Sequence, residues 1–139
     1  MILIDANVFM YAAGAEHPHR NASVDLLEAV AAGDLDGGTN AEVLQELLHR
    51  YRRLLTWEQA VTVYDSARLI VPEVLPVTAR DLDRARSLLG DYPALSTRDA
   101  VHAAVVLENA VEALCTWDRD FDPIRELTVI TPAEGLAAR

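Results

Sequence analysis

The chain begins with an unbroken apolar triplet, Ile2-Leu3-Ile4, that stops at an acid, Asp5. A strand without polar alternation has to be covered on both faces, which happens inside a parallel sheet with helices packed above and below it. The acid then stands at the carboxyl end of a central strand, the edge at which open α/β sheets take their ligands. Asn7 follows, and Val8 to Ala13 reads as a short helix, so Asp5 is equally placed to cap that helix. The fragment alone leaves both roles open. The other acids of the chain have to decide between them.

Helices and strands alternate through the remainder. Gly14 to Arg20 reads as a loop broken at His17-Pro18, and Asn21 to Ala32 as an amphipathic helix closed by Gly33. Asp34 to Thr39 is polar and glycine-rich, with room only for a short strand. Asn40 caps a helix that runs to Leu55, and Thr56-Trp57-Glu58-Gln59 is a capping box for a helix to Ile70. Val71 to Val77, interrupted by Pro72 and Pro76, predicts an edge strand. Thr78 opens a helix to Leu89, which Gly90 to Pro93 ends. Ser96 to Asp99 starts the helix Ala100 to Asn109, apolar nearly all round and therefore buried. Glu112 to Thr116 and Leu127 to Thr131 are the last strands, with a dense acidic turn, Trp117 to Pro123, between them. This order predicts one domain over residues 1–139, an α/β three-layer sandwich whose mostly parallel central sheet is flanked by helices.

Composition narrows the chemistry. With 139 residues, 51% of them hydrophobic, the chain can bury a substantial core. No window approaches the roughly 20 apolar residues of a membrane span. One cysteine, Cys115, lies inside an apolar run and allows no internal disulfide. With no basic leader at the N-terminus, that predicts a cytoplasmic protein without a membrane partner. His17, His19, His49 and His102 lack cysteine partners at zinc-ligand spacing. A net charge of −10 argues against unaided electrostatic capture of nucleic acid. All twelve basic residues are arginine, so mechanisms that need a lysine are excluded.

The acids fall where strands end and helices begin. Asp118 follows the Leu114-Cys115-Thr116 strand as Asp5 follows the first, and two parallel central strands would bring both acids to one edge. Asp99 lies in the first turn of the buried helix, where Ser96 and the helix dipole also account for it; a capping acid keeps an oxygen free for a second task. The helix after Asn40 offers Glu42, explained by the dipole, and Glu46, which lies nearer the core face and whose other role is a pair with Arg50. Spacing favours Glu46 and keeps Glu42 as the alternative. Clustered carboxylates raise one another's pKa unless a cation is present, and an all-oxygen set suits Mg²⁺, or Mn²⁺, rather than zinc. Such an ion activates water and neutralises the charge developing on a phosphodiester.

Four stretches together resemble a known family. Ile-Leu-Ile-Asp-Ala-Asn at 2–7, Asn-Ala-Glu-Val-Leu-Gln-Glu at 40–46, Asp-Ala-Val-His-Ala-Ala at 99–104 and Thr-Trp-Asp-Arg-Asp-Phe-Asp at 116–122 are similar to PIN-domain signatures, and more narrowly to VapC-type toxins of bacterial toxin–antitoxin pairs. No single motif is specific; the order and spacing of the four are. The resemblance covers nearly the whole chain and implies a metal-dependent endoribonuclease, usually a homodimer, that cuts RNA and is inhibited by a VapB-type antitoxin. By position, Asp5, Glu46, Asp99 and Asp118 match the family's acidic catalytic and metal-binding residues. Asn7 and Thr116 match polar residues that support them, and Asp120 and Asp122 stand as substitutes for Asp118 because the last acidic position varies.

Other features have plainer readings. His102, in an apolar helix, is read as a core histidine rather than a general base. Arg50, Arg52 and Arg53 form a solvated face, and Trp57 with Tyr64 a core or dimer stripe. A phosphoacceptor or aspartate phosphatase would also place an acid after the first strand with Mg²⁺, but both need a lysine, and the phosphatase a second aspartate where Asn7 stands. A catalytically silent PIN-like interaction module is the remaining alternative, since sequence cannot bring the acids together.

Overall fold

Successive side chains of a strand point to opposite faces of its sheet, so the short apolar strand β1 (Ile2–Ile4) seeds two cores at once. In the computed structural model, which describes residues 1–139, Ile2 and Ile4 enter one core and Leu3 the other. β1 is the centre of a five-stranded sheet. β2 (Gly37–Asn40) and β3 (Val74–Leu75) lie to one side of it, and β4 (Ala113–Cys115) and β5 (Val129–Ile130) to the other, in the order β3-β2-β1-β4-β5. Every neighbouring pair is parallel, so the mostly parallel sheet expected from the sequence is wholly so.

Ile2 and Ile4, with Ala113 and Cys115 of β4, pack beneath α1 (Ala6–Ala13), α2 (Arg20–Ala32), α3 (Ala41–Leu54) and α4 (Trp57–Ile70). A last helix, α7 (Pro132–Ala137), closes this layer against α2. Leu3 and Leu114 face α5 (Ala79–Asp91), α6 (Thr97–Glu108) and Phe121 of a single 3₁₀ turn (Arg119–Phe121). The result is a three-layer α/β sandwich. Gly37 allows its close packing, because a Cβ there would lie 2.7 Å from Val30 Cγ2 and 3.0 Å from Ile4 Cδ1.

The chain runs outward from β1 through β2 to β3, then returns over the other face to start β4 on the opposite side of β1. The carboxyl ends of β1 and β4 therefore flank the point where strand order reverses, the crevice in which such sheets hold ligands. Asp5 follows β1 and Thr116 follows β4, with Asp5 N–H still bonded to Cys115 C=O at 3.0 Å.

Several boundaries differ from the sequence reading. α1 begins at Ala6 and α6 at Thr97, two and three residues earlier, because their caps Asp5 and Ser96 hand over to helix at once. α5 does not stop at Leu89 but runs through Gly90 to Asp91. The strands predicted at 71–77, 112–116 and 127–131 shrink to two or three residues of ladder. α7 was unforeseen, although Thr131-Pro132-Ala133-Glu134 carries both a capping box and a proline at the first turn. Trp57 is 59% exposed and so is not core, whereas Tyr64 packs against the first core.

Candidate active site

Asp5 is both a helix cap and a cleft residue. It caps α1, with Oδ1 accepting the Ala6 N–H at 2.7 Å, and it is buried at the floor of a cleft. Its Oδ2 accepts the Thr116 hydroxyl at 2.8 Å and Asn7 Nδ2 at 3.2 Å. Thr116 Oγ1 in turn accepts from Asn7 Nδ2 at 2.9 Å and from the Asp118 N–H at 3.0 Å. A hydroxyl has one donor and two acceptor positions. All three are used, and one oxygen ties Asp5, Asn7 and Asp118 across the two central strands. Asn7 Oδ1 completes the junction by accepting the Trp117 N–H at 3.1 Å. The indole of Trp117 donates to Ser23 Oγ at 2.8 Å and stacks on His19, fixing α2 beside the site.

The remaining acids converge from three helical elements. Asp99 enters from the first turn of α6, whose cap Ser96 accepts the Asp99 N–H at 3.1 Å. Asp118 caps the 3₁₀ turn through the Asp120 N–H at 2.8 Å. Glu46 reaches in from the second turn of α3. Asp5, Glu46, Asp99 and Asp118 line one open cleft of about 560 Å³ together with Asn7. Glu42 is not among its lining residues: it is the more exposed of the two glutamates and pairs with Arg98 at 3.6 Å. Asp122 turns away to Arg119 at 2.6 Å, while Asp120 remains close to Asp99 and Asp118. Arg50, Arg53, Arg98 and His49 form a basic wall around this acidic floor.

The electrostatics favour a cation. Burial pushes the Asp5 carboxyl above its ordinary value and the Glu46 charge adds to this, against the pull of His102 and the Thr116 hydrogen bond. Asp99 is raised as well, first by burial and then by the charges of Asp118 and Asp5, with Ser96 opposing. Candidate donor atoms gather in two groups, Asp5 with Glu46 and His102, and Asp99 with Asp118 and Asp120, each within 4.8 Å of one another. Carboxylate oxygens in an open, polar cleft match the ligand preference of Mg²⁺ or Mn²⁺, so the residues present fit such an ion. Cys115 offers no competing chemistry: it is fully buried, and its thiol is pushed up to about 12.

The structure adds contacts the sequence reading passed over. His102 is indeed buried in the core, but its Nε2 lies 2.5 Å from Glu46 Oε1. The available signal was its spacing, since three residues after Asp99 is the same face of α6. Arg50 and Arg53, read as a solvated face, border the cleft, whereas Arg52 points to a separate depression beside Trp57.

A five-stranded parallel sheet that gathers carboxylates at its switch point defines a class of α/β proteins with an acidic cleft. Within that class, residues 2–127 match the PIN domain, and the chain belongs to the PIN domain family. It is 42% identical over 122 residues to a VapC ribonuclease of Mycobacterium bovis, spanning 88% of this chain and 93% of that protein. Ribonuclease VapC23 of Mycobacterium tuberculosis is 36% identical over 85% of this chain and 93% of its own length. The fold is shared with VapBC2 of Rickettsia felis, solved bound to a promoter DNA fragment, at a TM-score of 0.76 and 20% identity over 94% of this chain and 98% of that one. It is shared too with VapC20 of Mycobacterium tuberculosis, described as a sarcin–ricin loop cleaving toxin, at a TM-score of 0.72 and 22% identity over 90% and 95% of the two chains.

Proposed function

We propose that this chain is a Mg²⁺-dependent endoribonuclease and the toxin of a VapBC-type toxin–antitoxin pair, with Asp5, Glu46, Asp99 and Asp118 as its catalytic, metal-binding acids. The observation that carries this reading is the convergence of these four carboxylates in one cleft, in a chain 42% identical to a VapC ribonuclease. A divalent metal held by these acids would supply a hydroxide nucleophile at neutral pH and neutralise charge on the scissile phosphate. Asp5 presents Oδ1, because Oδ2 is held by Thr116 and Asn7. Asn7 and Thr116 fix that carboxylate rather than react. Asp120 stands beside Asp118 as a further donor. Arg50, Arg53 and Arg98 at the rim contact the phosphates flanking the cut, which is how a protein of net charge −10 holds an anionic polymer.

For the antitoxin, a groove of about 340 Å³ between α1, α2 and α4 offers an apolar seat bordered by Phe9, Val24, Leu27, Val63 and Ile70. Solved neighbours of the fold include a toxin–antitoxin complex, which supports a partner of that kind. Exposed Leu54, Leu55 and Trp57, at the turn between α3 and α4, suit burial against a second copy in a homodimer. The test is cleavage of a defined single-stranded RNA in Mg²⁺ by wild type and by Asp5→Asn, Asp99→Asn and Asp118→Asn. Loss of activity in folded variants is the expected result; wild-type activity in all three would overturn the assignment.

A further inference from the structure

Resting on the reading of the cleft as a metal centre, we propose that His102 and Asn40 are positioning residues that hold Glu46 for the metal, and that His102 is not itself a ligand. Asn40 caps α3, its Oδ1 accepting the Val43 N–H at 2.8 Å. That bond settles which end of the amide is which. Nδ2, a pure donor, therefore faces His102 Nδ1 at 3.0 Å. A donor opposite Nδ1 makes Nδ1 an acceptor, so the ring proton sits on Nε2. Nε2 lies 2.5 Å from Glu46 Oε1 and donates to it.

The opposite tautomer would set donor against donor at Asn40 and lone pair against carboxylate at Glu46. A second proton on the ring would leave the Nε2 proton where it is. Nε2 thus has no lone pair to give a metal, although it stands among the Asp5 and Glu46 oxygens in a group compact enough to hold one. Its nearest Asp5 oxygen is 3.8 Å away, too far for a hydrogen bond. Asn40 and His102 are 0% and 1% exposed, so no water competes for either bond. The chain of bonds runs from the start of α3 through α6 and back to the second turn of α3. It anchors Oε1 of Glu46 and so fixes the carboxylate in one orientation at the cleft. Partners of this kind behind a ligand commonly set its orientation and basicity.

The experiment is Mg²⁺ titration by calorimetry, with Mn²⁺ as a second probe, on wild type, His102→Leu and His102→Gln, each checked for folding by thermal melting. Leucine removes the donor and should weaken Mg²⁺ binding about 10- to 100-fold. Glutamine can place an amide N–H where Nε2 was and should restore most of the affinity. Nitrogen NMR of wild type should show the His102 proton on Nε2, with Nδ1 bare, both before and after Mg²⁺ is added. This readout stands even if the leucine variant does not fold. Equal Mg²⁺ affinity in wild type and His102→Leu, failure of glutamine to do better than leucine, or loss of the Nε2 proton on adding Mg²⁺ would overturn the proposal alone. A wild type that binds neither Mg²⁺ nor Mn²⁺ would overturn the metal centre itself, and the proposal with it.

Discussion

Asp5 and Asp99 are both raised carboxyls in the same cleft, yet their surroundings predict opposite responses to losing the charge. Asp99 keeps company with the charges of Asp118 and Asp5. Asp99→Asn should therefore raise the metal-free stability at neutral pH, by about 0.5–2 kcal/mol, on the scale typical of relieving a functional strain. Asp5→Asn should lower it. Either orientation of its new amide sets N–H groups against donors, Asn7 Nδ2 and the Thr116 hydroxyl on one side or the Ala6 N–H on the other, at about 1–3 kcal/mol for the unsatisfied groups. Thermal melts in EDTA separate the two. Linkage fixes the pH dependence. A folded-state pKa above the unfolded value contributes stability that is complete below the unfolded pKa and lost as pH rises through the folded one. Wild type and Asp99→Asn should thus differ little in acid below the ordinary aspartate value of 3.8, and the variant's advantage should grow as pH rises towards neutrality. An advantage that shrinks with rising pH would contradict the cause assigned to Asp99.

Elements were legible where local chemistry forces them. The capping box at Thr56, the cap at Asn40 and the opening at Thr78 start helices where the sequence places them, whereas Ser96 starts α6 three residues ahead of the reading. The triplet Ile2-Leu3-Ile4 could be assigned to a central strand because an unbroken apolar run that ends at an acid has to be covered on both faces. What was not legible depends on tertiary support. The edge strands β3 and β5 have two residues each, too few for any periodicity. Glu46 could be preferred over Glu42 from its face of α3, but its bond to His102 requires α6 to lie against it, which no local pattern states. Gly90 misled for a related reason: its helix-ending tendency is overridden by the packing of Ala85 and Leu88 in the second core. Since a Cβ at Gly90 meets nothing within 4 Å, Gly90→Ala should stabilise the protein by about 0.4–1 kcal/mol through the unfolded chain and helix propensity. A lower melting temperature for this variant would show that the glycine is needed where it stands.

At the scale of the whole molecule, strand order does what no single residue can. Reversal between β1 and β4 brings Asp5 and Asp118, separated by most of the sequence, to one hydroxyl. The apolar groove lies on the face of the sandwich built by α1, α2 and α4, and Ala31 on its exposed border offers a test that spares the core. Ala31→Glu should leave the melting temperature unchanged and weaken a cognate antitoxin at least tenfold, about 1.4 kcal/mol; unchanged affinity would move the partner elsewhere. The central claim is that carboxylates acting through Mg²⁺ cut RNA here. It is tested most directly by incubating a defined single-stranded RNA with the protein in Mg²⁺ or in EDTA and identifying the new ends. Cleavage only with Mg²⁺, leaving a 3′-hydroxyl and a 5′-phosphate, is the predicted result; cleavage that survives EDTA, or cyclic-phosphate ends made by the ribose 2′-hydroxyl, would contradict it.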